Sequence, residues 1–322
     1  NRELRSYALT QNLLREPWET LYEPTLRRKL SPLSVAGRVG HEEIPMWWSR
    51  GLTHTNFGDE LSWMIVASLT QRAVVWTSLS QATLVGAGST LEWLGEERSG
   101  SRTRGNFFRF VWGAGFMHAA LAPELERARV YAVRGELTKA RLGSAGDVPV
   151  GDPGILTALA LESLVDRSGP TAESGREILV TPHYVHSTNR QFSQLADALP
   201  NARVVDLRED PVKICSAIAG AQAVISSALH PLIVADSYGI PNVWVTSLNG
   251  PDGGEYKFPD YYSVFRIQPC PIELCEGLET SKRGIAWSLE RYERSGLTRL
   301  QTGLLRSLEA AVADLDELIA AA

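Results

Sequence analysis

From Glu177 onward, short apolar runs alternate with amphipathic stretches: ILV at 178–180, RVVDL at 203–207, AVIS at 223–226 and NVWV at 242–245. Apolar runs of this length, bounded by turn residues, read as buried strands. Between them lie RQFSQLADALP, DPVKICSAIAG and ALHPLIVADSYG, in which apolar residues recur every three or four positions and a Pro or Gly stands near an end. These are the marks of helices with defined starts and stops. Strands joined one at a time by single helices build a parallel sheet with right-handed crossovers.

The first half repeats the pattern less cleanly. Strands are expected at 44–48 (IPMWW), 82–85 (ATLV), 109–112 and 129–133 (RVYAV), and helices around 59–70, 123–128, 136–142 and 154–165. The polar stretch from Asp166 to Arg176, DRSGPTAESGR, is the best linker. Beyond residue 285 the chain reads as helical, and LLRSLEAAVADLDELIAA carries an apolar stripe that must lie on something. The expectation is an α/β protein of two Rossmann-like domains in a GT-B-like arrangement: 1–170, then 171–284, with a helical segment, 285–322, packing back on them. Ligands of such sheets gather beyond the carboxyl ends of the strands, which puts the active site in the interdomain cleft.

Composition agrees and narrows the field. With 322 residues, 44% of them hydrophobic and 21% charged, the chain can bury two cores. Its 32 basic and 37 acidic side chains give a net charge of −5, which disfavours nucleic acid as a partner. Three cysteines, Cys215, Cys270 and Cys275, form no CxxC pair, so neither a disulfide framework nor a zinc knuckle is indicated and a cytoplasmic location is expected. The uncharged run from Ile214 to Ala235 is long enough to span a bilayer, but Gly220, Gln222, Ser226, Ser227, His230 and Pro231 interrupt it. It reads as buried core, and no transmembrane segment is expected. The first residues, NRELRSYALTQNLL, lack the apolar run of a signal peptide.

Chemistry is therefore sought in the strand-end loops. Asn56, Gly58 and Asp59 in HTNFGDEL open a helix, where backbone N–H groups face an anion or a sugar hydroxyl unless the loop is simply a cap and turn. The loop VGAGSTLEWLG lacks the third glycine of a dinucleotide fingerprint, since Leu91 stands at its place. VWGAGFMH has the same Gly-x-Gly form, and its His118 reads as a surface or packed histidine. Arg134, between a strand and a helix, is suited to clamp a carboxylate or phosphate, or to form a structural salt bridge. Asp152, before Pro153, reads as a helix cap. His183 and His186 share one loop at a spacing a metal could use, yet no third ligand is evident, and His183 reads better as a polar ligand contact. In VISSALHPLIVADSYGIP, Ser226 ends a strand, Ser227 follows, and His230 lies in the first turn of a helix whose dipole favours an anion. GGEYKFPDYYSV adds Lys257 and Asp260 in a loop rich in Gly and aromatic residues.

Taken in order, NFGDEL, GAGSTL, VWGAGF, AVRGELTKARLG, VGDPGILTAL, TPHY, ISSALHPLIVADSYGIP and KFPDYYSV resemble the polysaccharide pyruvyl transferase family, and within it the bacterial exopolysaccharide ketal pyruvyltransferases. The resemblance runs from about Pro45 to Val264 and rests on the ordered set. It implies a GT-B-like fold and transfer of pyruvate from phosphoenolpyruvate to two hydroxyls of one sugar, in a polysaccharide or a lipid-linked precursor, giving a cyclic ketal and phosphate. The family often carries Ser-x-Arg-Leu-His where this chain has Ser226-Ser227-Ala228-Leu229-His230, so Ala228 removes one expected anion ligand. The exopolysaccharide members share that absence and carry a downstream Lys and Asp like Lys257 and Asp260.

On this resemblance His230 is the expected general acid, and Arg134 and Lys257 are the phosphate or carboxylate clamps. Ser226, Ser227 and His183 bind the donor, and Asn56, Asp59 and Asp260 face the acceptor. No metal or organic cofactor is required, and a peripheral membrane contact remains compatible with a lipid-linked acceptor. The same two-domain cleft would also serve a GT-B glycosyltransferase using a nucleotide sugar, and the loss of Arg at Ala228 fits a carbohydrate-binding relative without catalysis.

Overall fold

The computed structural model describes residues 43–49, 56–79, 82–96, 109–119, 125, 128–143, 146–166, 175–247, 250, 252–274 and 277–320. The first sheet is built from β1 (Ile44–Trp47), β2 (Val74–Trp76), β3 (Leu84–Val85), β4 (Arg109–Ala114) and β5 (Ala128–Val133), all parallel, in the order β2-β1-β3-β4-β5. Helix α1 (Phe57–Thr70) follows β1, α2 (Leu91–Glu96) follows β3 and α3 (Glu136–Leu142) follows β5. A 3₁₀ turn over Pro153–Leu156 then leads into the single-turn helix α4 (Thr157–Ala160).

The second sheet repeats the design with β6 (Ile178–Thr181), β7 (Ala202–Val204), β8 (Ala223–Ser226), β9 (Asn242–Thr246) and β10 (Ile272–Glu273). Its helices are α5 (Arg190–Asp197), α6 (Pro211–Ala219), α7 (Leu229–Tyr238), α8 (Gly254–Ser263), α9 (Leu278–Glu290) and α10 (Leu297–Ala320). The strand order is β10-β9-β8-β6-β7, again parallel throughout. Counted within its own half, each sheet runs 2-1-3-4-5, the doubly wound order whose direction of growth reverses between the first and third strands. The expected pair of Rossmann-like domains facing one cleft, a GT-B-like arrangement, is thus present.

The differences from the sequence reading sit at the edges. Strands β2 and β10 are three and two residues long, too short to show a period. Strand β7 stops at Val204 instead of running to 207, with Val205 N still donating to the Val180 carbonyl of β6 at 2.9 Å. The helix expected at 123–128 falls largely outside the described residues, and Ala128 opens β5. The 154–165 segment breaks into short turns: the Asp152 carboxylate accepts from Gly154 N at 2.9 Å and Thr157 Oγ1 donates to the Gly154 carbonyl at 2.7 Å, both closing the chain locally. Most of the stretch 166–176 lies outside the described residues.

The C-terminal helix α10 packs on β4 and β5 of the first sheet through Leu300, Leu304, Leu308, Ala311 and Leu315. Trp112 of β4 fixes it by donating from Nε1 to the Leu304 carbonyl and to Ser307 Oγ, both at 3.1 Å. Helix α9 covers β9 and β10. The gap between α9 and α10 carries Arg294, whose Nε donates to the fully buried Asp236 of α7 at 2.9 Å, and Asp236 also accepts from Asn242, Tyr261 and Tyr292.

One apolar cluster joins the halves, running from Ile44, Met46 and Leu61 through Ile155 and Leu156 to Leu232, Ile233 and Phe258. Polar contacts add to it. Arg134, at the end of β5, donates from Nε to Asp260 Oδ2 of α8 at 2.9 Å, with both side chains at most 1% exposed. Asp260 also accepts from Thr138 N at 2.8 Å and from Thr138 Oγ1 at 2.7 Å, so a carboxylate of one half caps a helix of the other. Gly135 makes the approach feasible: a Cβ there would stand 1.8 Å from the Asp260 carbonyl oxygen.

Removing one partner of a buried ion pair leaves an uncompensated charge. Asp260→Ala is therefore expected to lower the free energy of unfolding by about 3–5 kcal/mol, measured by urea denaturation. A loss below about 1 kcal/mol, the level of an exposed pair, would show that the contact does not hold the halves together.

Candidate functional site

A cavity of about 490 Å³ opens between the two sheets. Its wall is drawn from the loops that flank both points of strand-order reversal: Asn56 and Asp59 after β1, Gly88, Ser89 and Thr90 after β3, His183 and Tyr184 after β6, and Ala228, Leu229 and His230 after β8. Met117, Arg134, Leu207 and Asp252 come from other strand-end loops, and Lys257 from the first turn of α8, since the segment read as a loop from the sequence is helical and carries both Lys257 and Asp260. Helices α1 and α7 start at this wall, and neither has a side-chain cap on its first turn. Their amides and dipoles place partial positive charge at the cavity from both halves.

His230 sits in the first turn of α7, with its imidazole against the backbone of α1. A Cβ on Gly58 would lie 1.9 Å from Nδ1, so only glycine admits the ring here. On its far side Nε2 is buried without a hydrogen-bond partner, 3.9 Å from Asp152 Oδ2. Burial lowers the pKa of His230 below the ordinary imidazole value, with Lys257 and Arg134 adding to the effect and Asp152 opposing it. Its resting form is neutral.

Asp59 shows the opposite shift. Burial first, then the neighbouring Glu60 and the more distant Asp152, push its carboxyl up to about 8 against a weaker pull from Lys257. Asn56 Nδ2 donates to Asp59 Oδ2 at 2.5 Å. The resemblance makes His230 the expected general acid, and burial of its ring works against that role. At neutral pH the carboxyl holds the proton and the imidazole is free to accept one.

Lys257, on α8, donates to the Asp252 carbonyl at 2.8 Å. Burial and Arg134 bring its ammonium down to about 8, so a bound anion would restore its full charge. Arg134 reaches the wall with its guanidinium already committed. Beside the Asp260 bond, it donates to Ser89 Oγ at 2.7 Å and to the Phe116 carbonyl at 2.6 Å. Gly115 lets it in, since a Cβ there would stand 2.5 Å from Cζ. The structural salt bridge weighed from the sequence is present, and the guanidinium presents a fixed charge at the wall rather than a mobile clamp.

Of the expected site residues, His230, Arg134, Lys257, His183, Asn56 and Asp59 share the cavity wall; Ser226, Ser227 and Asp260 stand behind it. Ser226 Oγ accepts from Ala228 N at 3.0 Å and donates to the Thr181 carbonyl at 2.8 Å, shaping the turn before α7. Ser227 Oγ accepts from His183 N at 2.9 Å and lies 3.0 Å from His186 Nδ1, tying the loop after β6 to the loop after β8. Asp260 is spent on Arg134 and Thr138. These three donor- and acceptor-side expectations are corrected by full burial: each side chain is saturated by protein partners and sets the position of its neighbours.

Sequence reasoning missed Ser89, Thr90, Trp93, Tyr184 and Asp252 as wall residues. The GAGSTL and TPHY loops were visible, and their position at the strand-order reversals is the signal that would have promoted them. His118 ties the rim together instead of facing solvent alone: Nε2 lies 2.8 Å from Asp252 Oδ1 and Nδ1 is 3.3 Å from Glu92 Oε2. The hydrogen bond to Asp252 raises its pKa. Among the described residues no helix is long and apolar enough to cross a membrane.

The model of the polysaccharide pyruvyl transferase family matches residues 96–249. This bears out the resemblance read from the motifs, and the matched stretch holds Arg134, Asp152, His183 and His230 but not Asp59 or Lys257. Over 148 residues the chain is 33% identical to Uncharacterized protein L143 of Acanthamoeba polyphaga mimivirus, covering 42% of this chain and 48% of that protein. Over 227 residues it is 23% identical to the succinoglycan biosynthesis protein ExoV of Rhizobium meliloti (strain 1021), covering 69% and 65%. The chain thus spans about half to two thirds of the length of these curated relatives. Among solved structures it is similar to the glycosyltransferase SnogD from Streptomyces nogalater, at 16% identity and a TM-score of 0.39, over 86% of this chain and 99% of that one.

The raised pKa of Asp59 has a consequence for stability. Between pH 4 and pH 8 the unfolded chain carries Asp59 ionised while the native protein holds it protonated, so this residue's contribution to stability falls as pH rises through that window. Asp59→Asn removes the titration and keeps the shape. The melting temperature of the variant, relative to the parent, is expected to rise steadily from pH 5 to pH 8 in scanning calorimetry; parallel curves would contradict the shift.

Proposed function

We propose that the chain transfers the pyruvyl group of phosphoenolpyruvate to two hydroxyls of a sugar in a polysaccharide or its precursor, forming a cyclic ketal and releasing phosphate. The observation that carries this reading is the meeting of two uncapped helix N-termini, Lys257 and the charge of Arg134 around one cavity that also holds a protonated carboxyl and a neutral imidazole. The first set of groups suits a small polyanion. The second pair, pushed apart in pKa, is an acid and a base ready at neutral pH. The family match and the similarity to a protein of succinoglycan biosynthesis agree with it.

In this scheme the phosphate and carboxylate lie toward Lys257 and the start of α7. Asp59 gives its proton to the methylene carbon of the enol while the first sugar hydroxyl adds to the carbon bearing the phosphate, and His230 takes the hydroxyl proton. The second hydroxyl then displaces phosphate, which leaves with the second proton. His230 then releases the first hydroxyl proton and Asp59 regains one from solvent, so that in net terms the two hydroxyl protons lost are matched by one in the new methyl group and one on phosphate. Asn56, Trp93 and Tyr184 provide polar and ring surfaces for the sugar.

Incubation with phosphoenolpyruvate and an acceptor saccharide should release phosphate, and in deuterated water the ketal methyl group should carry one deuterium. Binding of phosphoenolpyruvate without turnover, against a panel of acceptors, would favour a carbohydrate-binding relative. Tighter binding of nucleotide diphosphates than of phosphoenolpyruvate would favour a glycosyltransferase.

Lys257→Met should weaken phosphoenolpyruvate binding by about 10- to 100-fold, the range for a hydrogen bond to a charged group. Ala228→Arg should recover part of that loss, because Ala228 lies on the same wall at the start of α7; purely additive effects in the double-mutant cycle would separate the two positions. Since Asp59 and Lys257 both titrate near 8, kcat/KM should fall above that pH as the acid and the cation are lost. Lys257→Arg keeps the cation and leaves the Asp59 limb in place, so a flat alkaline profile in that variant would remove Asp59 from the role of acid.

A further inference from the structure

Asp152 performs a capping task with only half of its carboxylate. Oδ1 accepts from Gly154 N at 2.9 Å, the bond that starts the 3₁₀ turn. Oδ2 has no partner, in a side chain with no solvent exposure, and it points at His230 Nε2, which is likewise buried and unpartnered. Buried polar atoms are almost always paired, because an unpaired one forfeits its hydration without return. At 3.9 Å the two atoms are in ion-pair contact and beyond hydrogen-bond reach, and a proton on Nε2 together with a small rotation of the ring would satisfy both. The carboxylate comes from the first half and the imidazole from the second, and each is held by backbone: Asp152 by its own turn, His230 by the glycine surface of α1.

We propose that Asp152 is the positioning partner of His230, holding the tautomer with its proton on Nε2 so that Nδ1 is the nitrogen that exchanges a proton with the substrate. This rests on the reaction reading above for the identity of the substrate, but the pairing itself does not. Burial raises the pKa of the Asp152 carboxyl, against the pull of His230, the Gly154 amide and Arg134; in its ionised form it orients the ring and stabilises the imidazolium once the opposite nitrogen has accepted a proton. Here it also offsets the groups that disfavour that imidazolium, Lys257 and Arg134, together with the burial of the ring. Asp59, on the first turn of α1, faces the same cavity and is neutral at pH 7, so it adds little to the balance until it gives up its proton.

The test is Asp152→Asn. An asparagine keeps a carbonyl oxygen for Gly154 N and turns an N–H₂ toward Nε2, so the turn survives and the tautomer is forced to reverse. Selective ¹⁵N-histidine labelling, with His230 assigned by its loss in His230→Gln, reads the ring directly without any substrate. The parent should show the Nε2–H tautomer. Asp152→Asn should show Nδ1–H, a lower His230 pKa and an unchanged KM for phosphoenolpyruvate, with kcat reduced by about 10²- to 10⁴-fold, the range for general acid–base catalysis. An Nδ1–H tautomer in the parent would overturn the proposal even if the variant failed to fold, as would a variant whose His230 tautomer and pKa match the parent. A tautomer that reverses in a protein with no phosphoenolpyruvate turnover would instead leave the pairing intact and remove the reaction reading.

Discussion

The buried pair of Arg134 and Asp260 is the contact on which the geometry of the molecule turns. It joins the end of β5 to α8, and the same carboxylate closes the first turn of α3. Helix α8 also carries Lys257, so the position of its ammonium depends on an ion pair one turn away. The cost of desolvating such a pair is recovered only when every donor and acceptor is met, and here Ser89, the Phe116 carbonyl and Thr138 meet them. Arg134 therefore reaches the cavity as a charge with no freedom to move, and the loops after β3 and β4 are held in place by hydrogen bonds from its two terminal nitrogens.

Burial then assigns the chemistry. In water at pH 7 an aspartate is ionised and about a quarter of a histidine population is protonated. Inside this cleft the preference is reversed, because the low-dielectric wall penalises whichever form carries charge. Asp59 and His230 come to differ in the opposite sense from their ordinary order, and each faces the other's half of the molecule from the first turn of a helix. The glycines at 58, 115 and 135 are the steric counterpart: each removes a side chain where a functional or cross-linking group of another segment must fit.

Much of the fold was legible because parallel strands buried on both faces leave continuous apolar runs, and ILV, AVIS and NVWV reappear as β6, β8 and β9. Edge strands such as β2 and β10 left no such trace, since two or three residues cannot establish a period. In the site, the residue types and the loops were readable, and His230, Lys257 and Asp59 do converge. What could not be read was which carboxyl would be desolvated and which spent. Asp59 and Asp260 look alike in sequence, each close to the start of a helix or aromatic run. Only the tertiary packing shows that one faces an empty space and the other an arginine. Asp152 was legible as a cap, and its second oxygen gained a meaning only when the other half of the chain brought His230 alongside.

The apolar cluster that runs without a break from Ile44 to Phe258 has a further consequence. Two sheets of identical strand order invite the idea of two independent modules joined by a tether, each able to fold alone and swing about a hinge. An apolar seam shared by both denies this, since parting it would expose Leu61, Ile155, Leu232 and Ile233 to water. The halves should melt as one cooperative unit with a single calorimetric transition. Either half expressed by itself would present a sticky flank, so two sheets of like order do not make two separable units.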